Sequence, residues 1–407
     1  MVSSIAHYQQ ALEHLQSKQQ YRRIPALTHH GKFVEVDNKK LLNIASNDYL
    51  AIGMDNKLQA DFLDYIADMP TDERPKLGAT SSRLLTGNDT QLSLLENELE
   101  VWYASTESKE LKHASFQKSA LVFNSGYHAN IGLLPALTRL PVKTMIIADK
   151  LVHASIIDGL QLSKVNNKTD FKRYRHNDYA HLQSLIKCVA DDIQRIIIVT
   201  ESIFSMDGDK ADLKELVKIK QTDKRIELYV DEAHAVGVCG KTGCGVAEET
   251  NTIGDIDYLV GTFGKSFASM GAYLICEPVV KKWLTNSLRP LIFSTALPPM
   301  THAWSRFVLA KMPYLNDKRK QLHTLSSLTA KAIEEKMQQA NPSQSAIIPY
   351  ILGSNALALD KAQQLQQAGF YALPIRPPTV PANTARVRLV MHAAINEQQH
   401  KKLLQCL

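Results

Sequence analysis

The sequence predicts an α/β protein with a large domain on a mostly parallel sheet, followed by a smaller C-terminal α+β domain. Three observations predict this. From about residue 50 to 290, short apolar runs alternate with longer amphipathic stretches. The runs lack polar alternation, as strands buried on both faces do. After Pro298-Pro299 the alternation gives way to a long helical pattern. A chain of 407 residues also exceeds what one hydrophobic core usually supports. The expected divisions are an N-terminal helix and strand segment (1–49), a large α/β domain (50–292) and a C-terminal α+β domain (293–407).

Taken in order, Ile5, Tyr8, Leu12 and Leu15 recur at helical spacing and predict an amphipathic opening helix. Lys32 to Leu42 is strand-like and is broken by a turn at Asp37-Asn38. The buried strands are expected at Ala120-Phe123, Met145-Ala148, Ile196-Thr200, Leu228-Val230, Tyr258-Val260 and Ala272-Cys276. Strands separated by helical stretches imply crossover connections and a parallel sheet. Thr301 to Gln339 reads as one long helical stretch. Ile347-Leu352, a turn, another helix and a strand near Val387-Met391 complete the second domain.

Composition narrows the class. The chain is 44% hydrophobic and 22% charged, the balance of an ordinary globular protein. Its net charge of +6 comes from 47 basic and 41 acidic residues spread along the chain. No basic stripe with interleaved aromatics accompanies it, so no nucleic-acid partner is expected. No apolar run approaches the roughly eighteen residues that span a bilayer, so no membrane partner is expected. The polar N-terminus lacks the apolar core of a secretion signal. Five cysteines with no C-x-x-C argue against a disulfide framework or a zinc site. They suit a reducing compartment, and a cytoplasmic location is expected.

In an open α/β sheet, ligands bind beyond the carboxyl ends of the strands, so the polar residues that follow each run carry the functional reading. Lys265 is the sole charged residue between Asp257 and Glu277, set between two apolar runs. Lysine is rarely buried without a partner. Burial would favour its neutral amine and make it a nucleophile. A surface lysine on a loop is the competing reading. Gly264-Lys265-Ser266 ends like a phosphate-binding P-loop, but position 259 is Leu where that motif needs Gly. Asp231 follows Leu228-Tyr229-Val230 directly and would point into the crevice; a helix or turn cap is its plainer role. Asp231 and His234 have a spacing that could hold a metal, but no further cluster supports one, and none is expected.

Gly126 opens a helical stretch after Ala120-Phe123, where backbone N–H groups could meet a phosphate. His153 follows Met145-Ala148 and could stack on a flat ring or cap a helix. Ser205 follows the strongest run and could bond a cofactor oxygen or belong to a turn. No Gly-x-Ser-x-Gly surrounds it, which argues against a serine hydrolase. Gly126, His153, Ser205, Asp231 and Lys265 all follow successive strand-like runs, which points to one shared crevice.

Segments along nearly the whole chain resemble the α-oxoamine synthases, pyridoxal phosphate (PLP) enzymes of fold type I. They are Ser46-Asn47-Asp48-Tyr49-Leu50, Ser81-Ser82-Arg83-Leu84-Leu85-Thr86-Gly87, Ser125-Gly126-Tyr127, His153-Ala154-Ser155, Phe204-Ser205-Met206-Asp207-Gly208, Val230-Asp231-Glu232-Ala233-His234 and Thr262-Phe263-Gly264-Lys265. The resemblance implies a seven-stranded, mostly parallel sheet and PLP as cofactor. It implies that Lys265 is the covalent anchor and Cα base, Asp231 the partner of the pyridine nitrogen, and His153 the residue stacked on the ring. Ser205 and His234 would bond the phenolic oxygen. Gly126, Tyr127 and Thr262 would hold the phosphate. Ser294 and Thr295 would reach the neighbouring subunit's phosphate, which implies a homodimer with shared active sites.

The segment Ile375-Arg376-Pro377-Pro378-Thr379-Val380-Pro381 resembles members that join L-alanine to a pimeloyl thioester in biotin synthesis. By that resemblance Asn47 and Arg376 would bind the alanine carboxylate. Arg22, with Arg23 nearly as good a match, would contact the acyl substrate, and Thr379 would line the same site. The acyl carrier is left open between coenzyme A and a transient acyl-carrier protein. Sister reactions that use glycine with acetyl-CoA or succinyl-CoA share almost every cofactor residue; the segment from Arg376 to Pro381 argues against them. A non-catalytic PLP-fold binding module is the alternative of another class. It would bind PLP yet form no product with any acyl thioester. Residues 103–117 look like an insertion relative to shorter members and read as a surface loop.

Overall fold

The computed structural model describes residues 4–106, 118–164 and 169–407, so most of the 103–117 stretch lies outside the described residues. The chain forms two compact units. One holds Met1–Met54, Met206–Gly208 and Gln321–Leu407; the other holds Asp55–Ser205 and Asp209–Lys320.

In the first unit the opening helix spans Ser4–Ser17. Its apolar stripe of Ile5, Tyr8, Leu12 and Leu15 is exposed in the single chain. Three short strands follow: β1 (Thr28–His30), β2 (Phe33–Val36) and β3 (Lys39–Asn43). β2 and β3 form a tight hairpin, with Val36 opposite Lys39. The two residues between them, Asp37 and Asn38, both have positive φ (48° and 58°). That is the twist-matched turn that Asp and Asn tolerate best.

The second unit is built on a seven-stranded sheet. Its strands are β4 (Ser119–Phe123), β5 (Thr144–Asp149), β6 (Thr169–Tyr174), β7 (Arg195–Glu201), β8 (Ile226–Asp231), β9 (Tyr258–Thr262) and β10 (Ala272–Cys276). The spatial order is β4-β10-β9-β8-β7-β5-β6. β10 runs antiparallel to both its neighbours, and the other pairings are parallel. Ile196 to Val199 at its centre are fully buried, as a strand covered on both faces requires. This is the fold-class expectation, strand for strand, with one addition. β6 (Thr-Asp-Phe-Lys-Arg-Tyr) is half polar because it is an edge strand paired only with β5, so it carries no apolar run to read.

One helical expectation is corrected. Residues 301 to 339 do not form a single stretch. A helix over Pro299–Leu309 is followed by a 3₁₀ turn at Met312–Tyr314 and a second helix over Asn316–Met337. Pro313 lies in the break. It has no N–H for a helical bond and would clash with the preceding turn.

The C-terminal part of the first unit contributes β11 (Ile347–Gly353), β12 (Phe370–Tyr371), β13 (Pro374–Ile375) and β14 (Ala385–Val390). β11, β14 and β13 form one sheet. β12 instead pairs in parallel with β3, Phe370 beside Leu42, so the N-terminal hairpin belongs to the unit of the C-terminal strands. Gly208 shows why the Phe204–Gly208 motif ends in glycine. Its φ is +71°, and a Cβ there would lie 2.0 Å from the Ile347 carbonyl oxygen.

Candidate active site

Within the second unit, the carboxyl ends of β4, β5, β7, β8 and β9 converge on one cavity of about 180 Å³. Gly126, Tyr127, Asn130, His153, Ser155, Glu201, Asp231, His234, Thr262 and Lys265 line it. Gly126, His153, Asp231 and Lys265, expected to share a crevice on strand position alone, are therefore brought together. Ser205, four residues beyond the end of β7 and half-buried, is not among the lining residues.

Asp231 ends β8 and is 5% exposed. Its Oδ2 accepts from Asn130 Nδ2 at 2.9 Å, and its Oδ1 from the Ala233 amide at 2.9 Å. Asn130 is fixed in turn, because its Oδ1 accepts from the Tyr229 hydroxyl at 2.5 Å. Its Nδ2 also donates to Ser155 Oγ at 2.9 Å. Ser155 Oγ lies 2.8 Å from His153 Nδ1. The carboxylate and the imidazole thus sit at the two ends of one buried network through Asn130 and Ser155. Asn130 did not stand out in the sequence, and Ser155 appeared there only as the end of the His153-Ala154-Ser155 segment, with no role; Asn130 is the fifth residue of the helix that Gly126 opens.

His153 caps the helix Ala154–Ser163, accepting from the Ser155 amide at 3.2 Å. Capping and lining the cavity are thus the same placement. Although His153 is exposed, the protein packed around its ring disfavours the imidazolium and lowers its pKa, against the pull of Asp231. A neutral, flat imidazole is the form suited to stacking.

The helix Gly126–Leu137 points its N-terminus at the same cavity, capped by Ser125 Oγ on the His128 amide. A Cβ built on Gly126 would meet only Thr262 Oγ1, at 4.0 Å. Open space at a helix N-terminus beside a threonine is a cradle for an anion. The Tyr127 hydroxyl is turned to Asp158 Oδ2 at 2.6 Å. Elsewhere in the same unit, Ser294 is half-buried and Thr295 exposed, with Thr295 bridged to Ser82 and its carbonyl bonded by Asn124. His234 is buried at 7% exposure.

These features fit PLP. The cavity offers an amine (Lys265), a buried carboxylate held by two donors (Asp231), a flat neutral ring (His153) and a glycine-opened helix N-terminus. Each is a group the cofactor's aldehyde, pyridine nitrogen, ring face and phosphate call for.

A second charged cluster lies in the same unit. His176 Nδ1 lies 3.0 Å from Asp149 Oδ1, and its Nε2 lies 2.8 Å from Asp209 Oδ2. Partial burial opposes a charge on this ring. The hydrogen bonds to the two carboxylates outweigh it and push the imidazole up to about 10. Because the folded pKa exceeds the unfolded value of about 6.5, this stabilisation is complete below pH ~6.5. It declines as pH rises from there and is lost above the folded pKa of about 10. His176→Leu should therefore unfold more easily at neutral pH by about 3 kcal/mol, since it leaves two carboxylates uncompensated. In urea titrations across that pH window, the variant should lack the wild-type loss of stability.

The remaining expected residues lie in the first unit. Arg22 Nη2 donates to Thr379 Oγ1 at 2.7 Å. The Arg376 guanidinium bonds the Gln19 carbonyl and, at 3.4 Å, the Tyr21 carbonyl. Arg22, Arg376 and Thr379 thus gather on the arm at residues 19–22. Asn47 Oδ1 accepts from Arg388 Nη2 at 3.1 Å and from the Tyr49 hydroxyl at 3.2 Å. Arg388 was missed by sequence reasoning: β14 carries two arginines, Arg386 and Arg388, so neither stands out as a lone cation.

Comparison with known proteins identifies the family. The sequence model of "Aminotransferase class I and II" matches residues 39–407. A Haemophilus influenzae (strain Rd) protein is 50% identical over 387 residues, covering 95% of this chain and 96% of the relative. One from Pasteurella multocida (strain Pm70) is 48% identical over 404 residues, covering 99% and 98%. Both carry the name "Putative 8-amino-7-oxononanoate synthase". Among solved structures, Sphingomonas wittichii serine palmitoyltransferase superposes with a TM-score of 0.85 at 26% identity, covering 100% of this chain and 97% of that one. The 8-amino-7-oxononanoate synthase of Francisella tularensis has a TM-score of 0.69 at 24% identity, covering 90% and 96%, and shares the fold. The chain belongs to the aminotransferase class I and II family, in its α-oxoamine synthase branch of PLP-dependent enzymes.

Proposed function

We propose that the chain condenses L-alanine with a pimeloyl thioester, releasing carbon dioxide and the free thiol and forming 8-amino-7-oxononanoate. The observation that supports this reading most is the near-full-length identity of 48% and 50% with relatives of that name. The Arg376-to-Pro381 segment agrees with it. When bound, PLP supplies an aldehyde for Lys265 and the amino acid in turn, and a ring that withdraws electrons from the amino-acid Cα.

The chain's residues do the rest. Lys265 first holds the cofactor and then, as a free amine, takes the Cα proton. Asp231 keeps a proton on the pyridine nitrogen, with Asn130 and the Ala233 amide aiming its oxygens. His153 covers one ring face, and His234 bonds the phenolic oxygen; Ser205, which does not line the cavity, is left without that role. The N-terminus at Gly126 and Tyr127, with Thr262, holds the phosphate. Ser294 and Thr295 serve the partner subunit's phosphate in a homodimer.

Asn47 binds the amino-acid carboxylate, and Arg388 joins it, because a guanidinium already bonded to Asn47 can add the fork that a carboxylate favours. Arg22 and Thr379 form the acyl-side group, and Arg376, expected on the alanine carboxylate, is assigned to it instead because it bonds the Gln19 and Tyr21 carbonyls beside Arg22. Arg388→Gln should raise the KM for L-alanine by about 100-fold, as expected for losing a charge-assisted pair of about 3 kcal/mol, with a smaller effect on the KM for the thioester. Steady-state kinetics with each substrate varied checks this.

Mass spectrometry of products from PLP-loaded protein tests the whole reading. With L-alanine, pimeloyl-CoA and pimeloyl-acyl-carrier-protein should be tried as donors, and glycine should be tried with acetyl-CoA and succinyl-CoA. The expected result is 8-amino-7-oxononanoate from L-alanine with a pimeloyl thioester, and no comparable product from glycine with either acyl-CoA. A faster product from glycine would assign a sister reaction. No product from any thioester, despite bound PLP, would favour a binding module.

A further inference from the structure

Glu201 is a buried acid that the proposed reaction does not use. It is the last residue of β7 and the register partner of Asp231 on β8. It lines the same cavity and is 3% exposed, and its Oε1 has no hydrogen-bond partner. Nearby acids are treated differently. Asp149 accepts from His176, the Leu151 amide and the Asn177 amide. Glu232 accepts from Ser202 and the Val246 and Ala247 amides.

An ionised carboxylate with an unpaired oxygen in this setting would be costly. A second negative charge beside Asp231 would add repulsion. A carboxyl group that keeps its proton avoids both and gains an O–H donor. Burial pushes the Glu201 carboxyl well up, and Asp231 pushes it the same way. Lys265 and a hydrogen bond from the His153 backbone pull it down.

We propose that Glu201 is a positioning residue held as a neutral acid, which leaves Asp231 the negative charge facing the cofactor ring and offers its own O–H as a donor into the cavity. This rests on the PLP reading of the cavity.

Infrared difference spectra of cofactor-free protein at neutral pH, with ¹³C-labelled glutamate carboxyls, test the protonation. Wild type minus Glu201→Gln should show a label-shifted band of a protonated carboxyl. If that variant does not fold, Glu201→Met supplies the difference. Absence of the band overturns the proposal.

PLP affinity, followed by quenching of protein fluorescence, tests the donor. Glu201→Gln is neutral and keeps an N–H donor, so its Kd should stay within about threefold of wild type. Glu201→Met lacks a donor and should bind about tenfold more weakly. Equal weakening in both variants would mean that an ionised carboxylate is needed, and no weakening in either would remove the donor role. Each result overturns the proposal. Failure of wild-type protein to bind PLP would overturn the site reading and the donor role. The band, read without cofactor, would still decide the protonation separately.

Discussion

Lys265→Ala should abolish the visible absorption that borohydride fixes to the protein, and should lower turnover by about 10⁴-fold or more, the upper range for loss of a general base. Two roles are lost at once, the covalent anchor and the Cα base. The rest of the cavity remains: the helix N-terminus at Gly126, the Asp231–Asn130–Ser155–His153 network and Thr262. The variant should therefore fold and still bind PLP noncovalently, as a dialysable ligand. Absorption spectra before and after borohydride, with turnover measured on the same sample, check both parts. Turnover near wild type would remove Lys265 from its role.

Asp231→Asn should have the second largest effect. The side chain keeps its shape but loses its charge, and the pyridine nitrogen then has no anion to keep its proton. Electrostatic groups of this kind are worth roughly 10²–10³-fold, and the upper end is expected because Asp231 is 5% exposed. Exchange of the alanine Cα proton in heavy water, followed by proton NMR, isolates the affected step because it needs no acyl donor. Exchange should fall about 10³-fold in a variant that still folds, with a modest drop in melting temperature because the new amide N–H faces a donor, Asn130 or the Ala233 amide. Unchanged exchange would mean that the charge is not what activates Cα.

The sheet and the heart of the cavity were legible because burial on both faces leaves an unmistakable trace. Runs such as Ile196 to Thr200 can be little else than central strands, and the polar residue that follows each must face the ligand side. What escaped has equally physical causes. β6 is an edge strand and needs no apolar run. β12 is two residues long and finds its partner, Leu42, more than 300 positions away, a pairing that no local pattern records. The break at Met312–Tyr314 was carried by Pro313, and the helical periodicity on either side obscured it.

Within the cavity, residues directly after strands were found, and those that support them were not. Asn130 and Ser155 lie inside helices, where a polar side chain reads as an exposed face. Glu201 directly follows the Ile196-Thr200 run, as Asp231 follows its own, but Ser205 four positions on was read as the polar residue of that strand end. Arg388 shares β14 with Arg386, so it carries no lone-cation mark of the kind that set Lys265 apart.

Lys265 and no other lysine should carry the cofactor. Reducing PLP-loaded protein with borohydride, digesting it and mapping the phosphopyridoxyl group by mass spectrometry tests this directly. The predicted result is a single modified peptide, with the label on Lys265 and lost on prior treatment with L-alanine. A label on another lysine, or none in protein that binds PLP tightly, would contradict the account.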